Sequence, residues 1–225
     1  MTTFALRSFA GSAADLHALP VDDGARPEVW VCDVDRPAVA LGSTQRADVV
    51  AREACEVAGV DVVRRRSGGG VVLLEPGGSV WFDVVVPTAV RASVGLSDDV
   101  GASMVWLGDH VVAALGALGI GSPGPLDVHR GGMACSSTWC PLVCFAGIGP
   151  GEVRRDGVKL VGISQRRTRA GSRFQCMVHV RWSPGRLVEL LAGPLPSGAL
   201  PAVAVLPAAA ASALPGAVAA SLGAS

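Results

Sequence analysis

The sequence predicts an α/β (α+β) fold, in which helices pack on a mixed, largely antiparallel sheet within a single domain. Strand-like apolar runs alternate with helical periodicity along most of the chain. Two tight-turn signals, "PGG" at 76–78 and "DG" at 156–157, predict hairpins and therefore antiparallel strand pairs. A chain of 225 residues, 50% of them hydrophobic, is long enough to bury one substantial core.

The first predicted elements are short. Residues 28–33 ("EVWVCD") and 38–41 ("AVAL") are typical of strands because they are rich in β-branched and other apolar side chains. Residues 47–58 repeat apolar positions at helical spacing, and Gly59 is a suitable helix end. Residues 60–65 ("VDVVRR") return to a strand pattern.

A hairpin and a long helix follow. Residues 71–75 and 79–86 are predicted to pair around "PGG", where glycine can adopt positive φ. A helix is predicted from about 98 to 118, with the polar run 97–99 as its N-terminal cap. Its apolar stripe, predicted to face the core, comprises Val100, Met104, Leu107, Val111, Leu115 and Leu118.

The last elements lead into a tail of different composition. Residues 151–168 predict a hairpin that turns on Asp156-Gly157, and "RFQCMVHVRW" at 173–182 predicts a further strand. Ser183-Pro184 begins a predicted short helix that reaches Leu191. We therefore divide the chain into a domain at 1–192 and an Ala/Pro-rich tail at 193–225, whose one or two short helices pack on the domain.

Charge and composition exclude several classes of protein. The 19 basic and 19 acidic residues balance, so the chain lacks the overall basic character of a nucleic-acid-binding protein. The N-terminal segment is a poor signal peptide, and no uninterrupted apolar run reaches the roughly 18 residues of a membrane-spanning helix. We expect a cytoplasmic protein with neither nucleic acid nor membrane as partner. Its cysteines are expected to be reduced thiols: Cys32, Cys55, Cys135, Cys140, Cys144 and Cys176.

Residues 64–70, "RRRSGGG", are the most informative stretch. Glycines after a strand allow a ligand to lie against bare backbone, and arginine can bind an anion with two parallel hydrogen bonds. The spacing is neither that of a phosphate-binding P-loop nor G-x-G-x-x-G. From the residues alone, a plain glycine-rich turn with solvated arginines is equally compatible.

Lys159 and Cys144 each allow more than one interpretation. Lys159 follows a tight turn inside an apolar strand, so its ammonium could remain in water or stabilise developing charge. Cys144 could be a small buried hydrophobe or an acyl-carrying nucleophile. It could also join His129, Cys135 and Cys140 in a zinc site, although the spacings C-x4-C and C-x3-C are unusual for one.

Three segments in the same order resemble the catalytic domain of the biotin and lipoate protein ligases, above all the lipoate ligase and octanoyltransferase branch. "RRRSGGG" resembles the family's Arg-Arg-x-Ser-Gly-Gly-Gly, and "ALGSTQ" at 40–45 its Leu-Gly-x-x-Gln. Residues 144–176 resemble a Cys-Phe…Glu…Gly-x-Lys…Gly-x-[Ser/Ala]-Gln block. The resemblance implies the fold of that family and a pocket for an acyl chain and its activated carboxyl group.

The resemblance also implies site residues, substrates and partners. Lys159 matches the family's charge-stabilising lysine, and Cys144, eight residues before Glu152, matches the acyl-carrying cysteine of the transferases. The substrate would be a small fatty acid, lipoate or octanoate, with ATP and Mg²⁺ if the protein is a ligase. The acceptor would be a lysine on a lipoyl carrier domain, either a dehydrogenase-complex E2 or the glycine-cleavage H protein. The implied substrate-binding residues are Arg64, Arg66, Ser67, Gly68, Gly69, Gly70, Gly157, Gly162 and Ser164.

Departures from the family pattern keep alternatives open. The family's Gln-His-Gly appears here as residues 175–177, "QCM", so that histidine is missing, and His179 lies three residues on. The family's His-Asp pair and Asn after the glycines are replaced by Leu74, Glu75 and Gly78. We favour a lipoate-protein-ligase-like enzyme that works through an acyl-adenylate. The alternatives are an ATP-independent octanoyltransferase with a Cys144 thioester and a non-catalytic acyl-binding protein; a biotin ligase matches the glycine segment less well.

Overall fold

The computed structural model describes residues 2–21, 26–121 and 124–224. Within them the strands are β1 (Ala5–Gly11), β2 (Glu28–Val34), β3 (Ala38–Leu41), β4 (Asp61–Arg64), β5 (Val72–Leu74), β6 (Ser79–Pro87), β7 (Leu126–Val128), β8 (Val153–Arg155), β9 (Val158–Arg167) and β10 (Gly171–His179). The α-helices are α1 (Ala13–Ala18), α2 (Arg52–Val57), α3 (Val100–Ala117), α4 (Pro184–Glu189) and α5 (Ala208–Gly223). Single 3-10 turns occupy Ala47–Val49, Thr88–Val90 and Cys144–Ala146.

In the described chain the strands form two sheets. The larger has seven strands in the order β1-β2-β6-β10-β9-β8-β7, and the smaller has three in the order β4-β3-β5. In the large sheet only the β1–β2 pair is parallel, and the small sheet has one parallel pair, β3–β4. The predicted α/β fold with a mixed, largely antiparallel sheet is therefore confirmed.

The predicted hairpin at 71–75 and 79–86 is wrong in its pairing. The turn is present, since Gly77 has a φ of +65° and the Gly78 amide donates to the Glu75 carbonyl at 2.9 Å. The chain uses this turn to pass from one sheet to the other, because β5 pairs with β3 whereas β6 pairs with β2 and β10. A turn signal predicts that the chain reverses its direction locally. It does not determine which strands pair, because pairing depends on the distant strands that cover the buried faces.

The second predicted hairpin is confirmed. Asp156 and Gly157 both have positive φ, 53° and 77°, and Arg155 lies opposite Val158 across the turn. Positive φ at both central residues is the geometry that Asp-Gly favours in two-residue hairpins. The strand predicted at 173–182 begins two residues earlier than expected and ends at His179. The prediction missed β1, α1 and β7.

The long helix α3 lies on the large sheet as predicted. The Asp99 carboxylate accepts a 2.6 Å hydrogen bond from the Ala102 amide and so caps the helix. Val100, however, is 55% exposed, so the predicted core stripe begins one turn later, at Met104. Length and composition alone would let α3 cross a bilayer, but its buried residues belong to the core cluster of the domain, as in a core helix of a globular protein.

The Ala-rich tail contributes to the same core. Its helix α5 packs against α3, and Ala211, Leu214, Val218 and Leu222 are buried in the core cluster on this face of the large sheet. The tail therefore does pack on the domain, as one 16-residue helix with Pro215 inside it.

The expectation of six reduced cysteines is wrong for two of them. Cys135 and Cys140 are joined in a disulfide with their Cα atoms 5.6 Å apart, because the intervening loop folds back on itself. Among the described residues the other four are free thiols.

Candidate active site

A cleft opens at the seam between the small sheet and the large one. It encloses about 420 Å³ of space, part of it open to solvent. Most of its wall is apolar, formed by Ala40, Val72 and Leu74 of the small sheet and Trp81, Ile163 and Met177 of the large one. Such a cleft suits the hydrocarbon chain of an acyl group, with a few polar groups to orient it.

The polar part of the cleft is a connected hydrogen-bond network. The Arg65 guanidinium donates to the hydroxyls of Ser67 at 3.2 Å and Ser164 at 3.0 Å, and to the Gly70 carbonyl at 2.9 Å. Ser67 in turn donates to the Gln175 amide oxygen at 2.7 Å, and Ser164 donates to Ser67 at 3.1 Å. Ser67 is 1% exposed. The predicted residues Ser67 and Ser164 are thus brought together by a buried arginine.

Of the three arginines in the "RRR" run, Arg65 lines the cleft. The predicted substrate-binding arginines, Arg64 and Arg66, do not line it. Arg64 is exposed and donates to the carbonyls of Gly42 at 2.9 Å and Gln45 at 2.6 Å, which braces that loop. Arg66 is also exposed. Successive side chains point to opposite faces of an extended chain, so the middle arginine turns inward when its neighbours turn outward.

Close packing of the chain on itself requires two of the three glycines, Gly69 and Gly70. A Cβ at Gly70 would lie 2.6 Å from the Cys144 amide nitrogen, and one at Gly42 would lie 1.8 Å from the Gly69 carbonyl oxygen. Gly69 also has a φ of +98°, which disfavours other residues. Gly68 faces open space. The loop therefore positions Arg65 and Ser67 by lying flat against the 142–144 segment.

Lys159 is buried, so the interpretation with its ammonium in water is wrong. It is 7% exposed and forms an ion pair with Glu152 at 2.7 Å between Nζ and Oε2. Its Nζ also donates to the carbonyls of Cys144 at 2.9 Å and Gly147 at 3.1 Å. Glu152 accepts further hydrogen bonds from the amides of Gly149 at 2.7 Å and Ile163 at 3.1 Å. These bonds hold the Lys159 ammonium and the Glu152 carboxylate in fixed, buried positions.

Gly162 leaves room for the groups around this lysine. A Cβ there would lie 3.0 Å from the Phe145 ring and 3.4 Å from Cε of Lys159. The Lys159 ammonium lies 4.8 Å from the centroid of the same ring, within range of a cation–π interaction. Gly157 lies in the hairpin turn. With Lys159 and Phe145 it lines a second and larger cleft of about 980 Å³.

Cys144 lines the apolar cleft with its side chain half-buried. A Cβ at Gly69 would lie 3.5 Å from its Sγ and 2.7 Å from an Arg65 nitrogen, so the thiol and the guanidinium are near neighbours. The zinc alternative is wrong, because Cys135 and Cys140 are joined to each other and His129 bonds the Gly132 carbonyl at 2.7 Å. In the described ranges no three His, Cys, Asp or Glu side chains come together as metal ligands.

His17 of α1 also lines the cleft, and the sequence analysis missed it. It is 8% exposed, stacks on Trp81 with ring centroids 4.4 Å apart, and its Nδ1 lies 3.0 Å from the Gln175 amide nitrogen. Burial, reinforced by the positive charges of Arg173 and Arg65, lowers the pKa of His17 to about 3. Its ring is therefore neutral near pH 7.

Other members of the site were equally hidden in the sequence. The sequence analysis assigned no functional role to Glu152, which only marked the spacing from Cys144, or to Gln175, which only marked where the family's Gln-His-Gly is altered. In the structure Glu152 pairs with Lys159 and Gln175 accepts from Ser67. Gln45 of the Leu-Gly-x-x-Gln element donates to the Leu142 carbonyl at 2.9 Å and so joins two loops of the cleft. Only the resemblance could have pointed to Gln45 and Glu152; a lone histidine in a six-residue helix carries no signal of its own.

The fold and the cleft together are those of an enzyme that handles an acyl group. Residues 16–198 match the family described as "Lipoyl protein ligase A/B catalytic domain". The chain therefore belongs to this family of acyl ligases and acyltransferases. No curated protein sequence matches the chain.

Solved structures with the same fold are distant in sequence. Lipoate-protein ligase A bound with ATP aligns with a TM-score of 0.67 and 15% identity, covering 98% of this chain and 86% of that one. Protein Ta0514 from T. acidophilum with bound lipoic acid aligns with a TM-score of 0.66 and 16% identity, over 98% and 86% of the two chains. A bi-partite lipoate protein ligase from Thermoplasma acidophilum, described with its E2 lipoyl domain, gives 0.61 and 18%, over 86% and 68%.

Proposed function

We propose that the protein joins lipoate or octanoate to a lysine of a lipoyl carrier domain through an acyl-adenylate. The observation that carries this proposal is the position of Lys159. Its buried ammonium lies beside Phe145, a residue that lines both the apolar cleft and the larger one. The acyl chain would occupy the first cleft, and the nucleotide the second.

The proposed reaction has two steps. A carboxylate oxygen of the fatty acid attacks the α-phosphorus of ATP, forms the new P–O bond and releases pyrophosphate. The amine of the carrier lysine then attacks the acyl carbonyl, forms the amide, loses a proton and releases AMP. Negative charge develops on the carbonyl and phosphate oxygens, and a fixed ammonium stabilises both.

Lys159 must exchange a partner to act in this way. Its three N–H groups are matched by Glu152 and by the carbonyls of Cys144 and Gly147. A substrate oxygen would replace one of the two carbonyls, because either is a weaker partner than the carboxylate. Glu152 would then keep the ammonium in place throughout the reaction.

The second cleft fits the nucleotide better than it fits a protein-bound metal. Arg154 and Lys159 line it, and both are cationic side chains suited to phosphate. Arg154 is paired with Asp127, so it would exchange that partner to bind a phosphate. Mg²⁺ usually binds through substrate phosphates, water and one or two carboxylates. Since the described residues contain no cluster of metal-ligating side chains, Mg²⁺ would enter with ATP as its phosphate complex.

The carrier would be an E2 lipoyl domain or the glycine-cleavage H protein. One structural neighbour is described with its E2 lipoyl domain. The acceptor lysine would approach the junction of the two clefts, where the acyl carbonyl lies near Lys159.

The second candidate is an ATP-independent octanoyltransferase, favoured by the position of Cys144 in the acyl cleft. Its thiolate would attack the carbonyl of an octanoyl thioester and release the donor thiol. The carrier lysine would then attack the new Cys144 thioester and free the sulfur. Both reactions use the same acyl cleft, so the cleft alone does not distinguish them.

One experiment separates the two candidates. Wild type and Cys144→Ser are supplied with a lipoyl carrier domain and either lipoate with ATP and Mg²⁺ or an octanoyl thioester alone, and the carrier is analysed by intact-mass spectrometry. We expect activity that needs ATP and survives the mutation, with a stability cost of about 1–3 kcal/mol for a buried hydroxyl without a partner. Activity that needs no ATP and disappears with the sulfur would establish the transferase. Modification under neither condition would overturn both.

A further inference from the structure

Two buried nitrogen atoms in the wall of the apolar cleft lack hydrogen-bond partners. Within the described part of the chain, neither Nε2 of His17 nor Nε of Arg65 has one, and both residues are more than nine-tenths buried. A buried donor without a partner costs about 1–3 kcal/mol. Seven buried side-chain atoms of the described residues lack a partner, and these two differ from the others because both residues line the apolar cleft. An acceptor atom of a ligand bound in the cleft would satisfy either nitrogen.

The surrounding network determines which nitrogen of His17 carries the proton. Ser67 donates its hydroxyl to the amide oxygen of Gln175, so the Gln175 NH₂ group faces Nδ1 of His17 at 3.0 Å. An NH₂ group can only donate, and Nδ1 must therefore accept. The proton lies on Nε2, which is the nitrogen without a partner. Because the ring is neutral near pH 7, Nε2–H is a permanent, uncharged donor.

The strand register places this donor away from Lys159. Met177 of β10 lies opposite Gly162 of β9, where the Phe145 ring and the Lys159 stem pack. Gln175, which binds His17, lies one two-residue repeat further along β10, about 7 Å away. An acyl chain with its carboxyl group at Lys159 reaches this level with its distal carbons.

We propose that His17 is a specificity-determining residue, whose Nε2–H donates to an acceptor on the distal part of the acyl chain and so selects a lipoyl over a saturated octanoyl group. This rests on the proposed function. The sulfur atoms of a dithiolane are weak acceptors, whereas the end of an octanoyl chain has none. Octanoate would leave the buried donor unsatisfied, whereas a lipoyl group would satisfy it, and a site built to donate a hydrogen bond discriminates against the analogue that lacks the acceptor.

The test is calorimetric titration of the intact protein with lipoate and with octanoate, which requires no turnover. Wild type is expected to bind lipoate about tenfold more tightly, the equivalent of one weakly satisfied buried donor. His17→Phe keeps the ring stacked on Trp81 and removes the donor, so the two affinities should become equal within about twofold, through weaker binding of lipoate.

His179→Phe is the matched control. His179 is also buried, packs against aromatic rings and has an Nε2 without a hydrogen-bond partner among the described residues, but it lies outside this cleft. Its replacement should leave the lipoate-to-octanoate ratio unchanged. Equal binding of both acids by wild type, or a preference that survives in His17→Phe, would overturn the role of His17 and leave the proposed function intact. Binding of neither acid would overturn both.

Discussion

At the residue scale, the ion pair of Lys159 and Glu152 couples stability to chemistry. Both side chains are about 95% buried, as their exposures of 6% and 5% show. Removing one partner of such a pair leaves the other charge buried and costs about 3–5 kcal/mol. A loss of activity in a Lys159 variant therefore says nothing about catalysis unless the fold is controlled.

The first prediction separates the two effects with a double variant. Lys159→Met should lower acyl transfer at least about a hundredfold, the scale for removal of one preorganised charge, and should also lower the free energy of unfolding. Glu152→Gln combined with Lys159→Met removes both charges, so it should recover part of the stability and none of the activity. The recovery is partial because a glutamine has one acceptor oxygen, whereas Glu152 accepts from the amides of both Gly149 and Ile163. Denaturant unfolding and a carrier-modification assay measure the two. Transfer at the wild-type rate in the double variant would exclude a catalytic role for Lys159.

The second prediction concerns the pH dependence of folding. Burial, with a smaller contribution from Lys159, lowers the pKa of His179 to about 4. Below pH 6.5 the unfolded chain gains a proton that the folded chain binds only near pH 4. Stability should therefore fall as pH decreases from 6.5 to 4, by about 1.4 kcal/mol per pH unit for this histidine. His17 adds a similar decline that continues to about pH 3.

His179→Phe tests how much of this pH dependence comes from His179. The ring contacts with Phe145 and Trp182 can be kept, while the titrating group is lost. Denaturant unfolding at pH 5 and pH 7 should show a smaller difference in the variant than in wild type. An identical difference in the two proteins would mean that His179 has the same pKa in the folded and unfolded chains.

At the element scale, the glycine-rich loop gives a paired prediction. Gly70→Ala would place a Cβ 2.6 Å from the Cys144 amide, and such overpacking costs about 1–3 kcal/mol. Gly68→Ala meets nothing within 4 Å and should be neutral or slightly stabilising. Thermal unfolding of the two variants measures the contrast. Equal unfolding temperatures would show that the loop does not lie against residues 142–144 as described.

Sequence patterns identified this loop but not its inward-facing arginine. Motif and strand position indicated that residues 64–70 line a pocket. Within that segment Arg65 lines the cleft, and Ser67 is hydrogen-bonded to it. Arg65 was not among the predicted substrate-binding residues, although the second arginine of the family's Arg-Arg-x-Ser falls on it. Strand periodicity could not correct this, because β4 ends at Arg64 and the orientation of side chains beyond a strand end depends on tertiary contacts. The hairpin at 71–86 failed for the same kind of reason: the turn is local, whereas the pairing of β5 with β3 is not.

At the scale of the whole molecule, α5 provides the fourth prediction. Leu214 is fully buried in the core, so Leu214→Ala should lower the free energy of unfolding by about 2–5 kcal/mol. Ser212 on the exposed side of the same helix is the control, and Ser212→Ala should stay within about 0.5 kcal/mol of wild type. Denaturant titration compares them. A tail that merely rests on the domain would give the same small change for both.

The composition of this tail predicted helices but not their contribution to the hydrophobic core. Almost every residue of α5 is small and apolar, so periodicity could not distinguish a buried face from an exposed one. The long helix α3 and the Asp-Gly hairpin were predictable because caps and turn residues act within a few residues. His17 and Gln175, which are 158 positions apart, meet only because the end of α1 packs on β10. In that contact Arg173 donates to the carbonyls of Leu16, His17 and Leu19.

That separation ties ligand affinity to the global fold. The cleft wall is built from α1, the glycine-rich loop, the 142–145 segment and β10. Because these segments lie far apart in the sequence, the cleft forms only when the whole chain is folded. A bound fatty acid would therefore draw its affinity from the complete native state alone, and mass action would shift the entire unfolding equilibrium. Amide protons far from the cleft, in α3 or α5, would exchange more slowly by the same factor as those beside it, wherever exchange requires global opening.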